Sequence, residues 1–171
     1  MTHSNTLSLA VLRRLSAVMA AAVFLAAASV MPQPAAAEQP EAEMVQVVPS
    51  PKSFAETVSA FRAEVAEAGW SLLNETNMAG VLSERGYTLD PVIIFDACSG
   101  KYSAEILGHD ESRPISAFMP CRVSIYQTSE GDVFIARMNT AAFADMMDPR
   151  VAEVMTASDD EISAIIDATI R

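Results

Sequence analysis

Cys98 and Cys121 are the only thiols of the chain, and with His109 they are the strongest candidates for redox, nucleophilic or soft-metal chemistry beyond its first 37 residues. Three chemistries suit them. A disulfide between them would close a loop of about 24 residues, which the chain-entropy model values at roughly 3 kcal/mol. A redox pair would use Cys98 at the head of a helix, where the dipole and nearby Lys101 favour thiolate, with Arg122 beside Cys121. That reading lacks the Cys-x-x-Cys spacing of dedicated oxidoreductases. A metal site would join Cys98, Cys121, the Met119 thioether and the His109 imidazole, a soft set that suits cuprous copper better than zinc.

Asp96 is the acid to watch, because it interrupts an apolar, β-branched run next to Ala97-Cys98. Such a carboxylate either accepts hydrogen bonds from backbone amides at a strand end or serves a site. Asp96, Lys101 and Arg122 are therefore the candidate rim residues for a ligand. No catalytic residue is assigned. One histidine in a loop makes no Ser-His-Asp arrangement, and the chain has neither a glycine-rich phosphate loop nor Cys-x-x-Cys-His. No cofactor is expected, with copper as the alternative.

The compartment follows from the N-terminus. Arg13 and Arg14 precede an apolar stretch from Leu15 to Met31, and Ala35-Ala36-Ala37 forms a small-residue cleavage site. This is the order of a secretory signal peptide. Residues 1–37 are thus expected to be a cleaved signal, 38–43 a flexible leader and 44–171 a single domain. The stretch is Ala-rich and interrupted by Pro32 and Pro34, which argues against a retained membrane anchor. The expected location is the periplasm, an oxidising compartment, with no stable membrane association after cleavage. Arg13 and Arg14 would leave with the signal, so the remainder would be more acidic than the full chain, whose net charge is −11. Such a surface disfavours nucleic acid and anionic lipid. The candidate partners are an unidentified small ligand, a basic exported protein or a second copy in a homodimer.

The elements that must position these residues are legible in the pattern. A first strand is expected at Met44 to Val48, ended by Pro49-Ser50-Pro51. Ser53 with Glu56 makes a capping box for a helix carrying Phe54, Val58, Phe61 and Val65 on one stripe, and Gly69 ends it. Trp70 to Thr76 reads as a strand, Met78 to Arg85 as a short helix and Pro91 to Ala97 as a third strand. A short helix is expected over Ser99 to Leu107, then a turn that becomes extended up to Met119. Cys121 to Thr128 and Val133 to Met138 make a β-hairpin around Gly131. Asp148 caps Pro149, and Ser158 with Glu161 suggests a second capping box. Met138, Met146, Met147 and Met155 are expected to fill the core. One antiparallel sheet covered on one face by helices, in β-α-β4-α order, is the economical α+β arrangement.

At these residues the chain resembles the domain of unknown function 302 family, from about Met44 to Asp167. The resemblance is carried by Ser53-Phe54 with Thr57, by Gly69, by Ala97-Cys98 with the helix behind it, and by Met119-Pro120-Cys121 followed by Val123, Ile125, Tyr126 and Gly131. It implies a TATA-binding-protein-like arrangement and no assigned activity. Many relatives have Asn-Pro where this chain has Ser99-Gly100. The expected function is binding or accessory, in a cavity walled by some of Phe54, Phe61, Phe95, Phe118, Tyr126 and Phe134, with thiol redox or copper handling at Cys98 and Cys121 as the alternative.

Overall fold

A computed structural model describes residues 44–171. The expected signal over 1–37 and leader over 38–43 lie outside the described residues. Chain order is β1 (Val45–Ser50), α1 (Phe54–Glu67), β2 (Ser71–Asn77), α2 (Met78–Ser83), β3 (Val92–Cys98), α3 (Gly100–Leu107), a 3-10 segment (Asp110–Phe118), β4 (Cys121–Gln127), β5 (Val133–Met138), a second 3-10 segment (Thr140–Met146) and α4 (Pro149–Ile170). The five strands form one antiparallel sheet in the order β1-β5-β4-β3-β2, as the sequence predicts for an α+β domain.

Local chemistry sets the first half. Ser53 and Glu56 form the reciprocal capping box at the start of α1. At its other end the Gly69 amide bonds to Ala66 and the Trp70 amide to Val65, the paired bonds of a Schellman cap, which place Gly69 at φ +73°. β1 runs to Ser50 rather than stopping at Val48. It is an edge strand, so Pro49, which has no amide hydrogen, can keep its place opposite Phe134.

Period-two alternation then builds the core. Phe95, Ala97, Val123, Ile125 and Ile135 turn to one face and meet Phe61 and Val65 of α1 and Ile162 and Ile166 of α4. The rings of Phe61 and Phe95 pack 5.1 Å apart. Tyr126 and Phe134 face each other in register and stack on the opposite face of the sheet. Of the six aromatic wall candidates, these four line neither cavity at the cysteine rim, and Phe54 packs against the core.

α4 is the main departure from expectation. Residues 149–170 form one helix, so Ser158 and Glu161 sit in its interior and cap nothing. No glycine or proline interrupts the run after Pro149. Ser158 and Asp159, read locally as helix-start residues, are buried and occupied by tertiary partners. The segment before β4 is also helical, as a 3-10 turn, where an extended approach was expected. Among the four methionines assigned to the core, Met155 is buried and Met147 packs against it, but Met138 and Met146 are exposed. Among the described residues, no helix is long and apolar enough to cross a membrane.

Candidate functional site

β3 and β4 bring the sequence candidates to one end of the sheet. Asp96 stands opposite Arg122 and Ala97 opposite Cys121. The Asp96 carboxylate forms an ion pair with Arg122, with Nε 3.3 Å from Oδ1, and accepts a hydrogen bond from Asn74 Nδ2 at 3.4 Å. Its partners are thus side chains of neighbouring strands rather than the backbone amides expected for it. Lys101 is exposed and lies over the Tyr102 ring, 4.6 Å from its centroid.

Because Ala97 faces Cys121, alternation alone puts Cys98 on the other side of the sheet. Cys98 is, however, the last residue of β3, and its thiol is held 3.0 Å from the Ser103 hydroxyl of α3. That places it around the same small cavity as Cys121. The two sulfurs are not bridged in this structure. The cross-strand partner of Cys121 is Ala97, so the two cysteines are not a directly paired cross-strand couple. Burial pushes the Cys121 thiol pKa up; the Ser158 hydroxyl and Arg137 pull it down, and Cys98 and Asp159 add to the rise. The thiolate is therefore disfavoured at Cys121, contrary to what a redox pair would use.

His109 does not join this group. It is exposed ahead of the 3-10 segment, with Glu111 3.8 Å away. Among the described residues no group of three or more His, Cys, Asp and Glu side chains could hold a metal ion. The four-ligand copper set therefore loses its imidazole, while Cys98, Cys121 and Met119 remain together.

A larger cavity, of about 260 Å³, opens beside Cys121. Phe118, Met119, Pro120 and Ile162 supply its apolar wall, and Asp96, Arg122 and Thr140 bring polar groups to it. The Met119–Pro120 peptide at its edge is cis. Its floor is the feature that the sequence reading missed. Arg137 and Asp159, both nearly fully buried, pair through two hydrogen bonds of 2.6 and 3.0 Å. Gln46, Ser163 and the Met138 carbonyl accept the remaining Arg137 contacts, and Thr140 donates to Asp159 from its amide and its hydroxyl, each at 2.9 Å. Burial works to raise the Asp159 pKa, but Arg137 and Thr140 outweigh it and hold the carboxyl below the usual range. This network ties β1, β5, the second 3-10 segment and α4 together behind the cavity.

A family model described as "Domain of unknown function DUF302" matches residues 46–169. The chain belongs to this family. Among solved structures, the DUF302 domain is similar to the "uncharacterized conserved protein DUF302 from Bacillus stearothermophilus", at 23% identity and a TM-score of 0.68. The match covers 76% of this chain and all of the other, and at that identity it shows the fold. No curated protein matches this DUF302 chain.

Proposed function

We propose that this DUF302 domain is an exported binding protein that takes a small, mostly apolar organic molecule into the cavity beside Cys121 and performs no chemistry on it. The observation that carries the reading is the composition of that cavity: apolar side chains on one wall, a few polar groups converging from the others, and a volume of about 260 Å³. Binding sites for organic ligands are built this way, and the size suits a small metabolite. The Arg137–Asp159 pair is already fully engaged, so it supports the floor rather than contacting the ligand through a free charge. Arg122, exposed and held only by Asp96, is the group able to turn toward a ligand's polar end.

Export to the periplasm rests on Arg13, Arg14, the apolar stretch behind them and Ala35-Ala36-Ala37. Thiol redox activity is the weaker alternative, because Cys121 is half-buried and the deprotonation of its thiol is opposed.

The test is a thermal-shift screen of the purified chain against small apolar metabolites, followed by amide chemical-shift mapping of each hit. A ligand present at 100 times its Kd adds about 2.7 kcal/mol to stability. Shifts centred on residues 96, 117–123, 137–140, 159 and 162 are expected. Hits that perturb only the exposed sheet face would contradict the assignment.

A further inference from the structure

Cys98, Cys121, Met119 and Met155 line one cavity of about 20 Å³ between the ends of β3 and β4, α3 and α4. These four are brought together from 58 positions of sequence by the register of β3 and β4 and by α4 crossing behind them. The rest of the wall is largely apolar, including Ala97, Ile106, Phe118 and Pro120. A space of this size admits one water-sized body. It excludes the organic molecule assigned to the larger cavity.

We propose that this cavity is a second site, for a single soft monovalent cation of the cuprous type, held by the two cysteine sulfurs and the two methionine sulfurs. Thiolate and thioether are the ligands that select such an ion over zinc, magnesium or calcium. The oxygen-bearing side chains of the wall are the hydroxyls of Ser99, Tyr102, Ser103 and Ser158, and no carboxylate lines it. Binding moves no electron. Each cysteine that binds as thiolate releases its proton to water, and the ion enters and leaves as a monovalent cation.

The two sites are separable, because Cys98 and Met155 line only the smaller cavity and Arg122 only the larger. The experiment is anaerobic titration of the purified chain with cuprous ion in competition with a chromogenic chelator, repeated with silver(I). One equivalent is expected to bind, with sulfur-only coordination by X-ray absorption. Loss of a direct ligand should cost at least the roughly 10- to 100-fold that loss of an outer partner does, so Cys98→Ser and Met155→Leu should each weaken binding by that much or more. Met155→Leu nearly conserves volume, which keeps the fold as a control. Equal affinity of the wild type and a folded Cys98→Ser/Cys121→Ser variant would overturn the proposal. So would isolation of the pair as a disulfide that resists reduction.

Discussion

Asp159 keeps its charge because Arg137 meets it through two parallel hydrogen bonds at a nearly fully buried position. Removing one partner strands the other, so Asp159→Asn should destabilise the fold by about 3–5 kcal/mol, read as a shift in the urea midpoint. The carboxyl is held below its ordinary value in the fold. Its stabilisation is therefore fully present above the unfolded pKa of about 3.9 and is lost as pH falls through the folded value. The gap between wild type and Asp159→Asn should be widest at neutral pH and narrow below about pH 4. Cys121 runs the other way: burial raises its pKa, so in the Cys98→Ser variant its alkylation at neutral pH should be slower in the folded chain than in urea. Equal rates would refute that account. The buried arginine had a signal in the sequence, since strict alternation puts Arg137 on the same face as Val133 and Ile135. Its acidic partner had none, because Ser158-Asp159-Asp160-Glu161 reads as a helix start when tertiary contacts are unknown.

Local signals and tertiary contacts divide the elements between them. The capping box at Ser53, the glycine stop at Gly69 and the hairpin around Gly131 depend on neighbours in sequence, and they stand where the pattern places them. β1, the 3-10 segment before β4 and α4 depend on what lies across the fold, and there the bounds or type changed. Gly69 allows a clean check. A Cβ there would meet nothing within 4 Å, so Gly69→Ala acts through the φ of +73° alone and should cost about 1–2 kcal/mol. Gly100 also has open space around it but no positive φ, so Gly100→Ala should be neutral or stabilise by about 0.5 kcal/mol. Thermal unfolding of both variants distinguishes backbone strain from packing.

On the scale of the whole molecule, helices cover one sheet face and gather the cysteines, Met119 and the Arg137–Asp159 pair behind it, while the other face carries the stacked Tyr126 and Phe134. Sequence located the cysteine rim, through Ala97-Cys98 and Pro120-Cys121 at facing strand ends. It did not locate the cavity, because its wall depends on how the 3-10 segment and α4 close over the sheet. The proposed function requires this cavity to hold a small molecule. Ala117 lines it and is exposed, so Ala117→Phe should fill the space without disturbing the core. The decisive measurement is native mass spectrometry of both proteins purified from the cells that produce them. The account predicts a non-covalent organic adduct on the wild type that is absent from a folded Ala117→Phe variant. Identical spectra for the two, with or without an adduct, would contradict it.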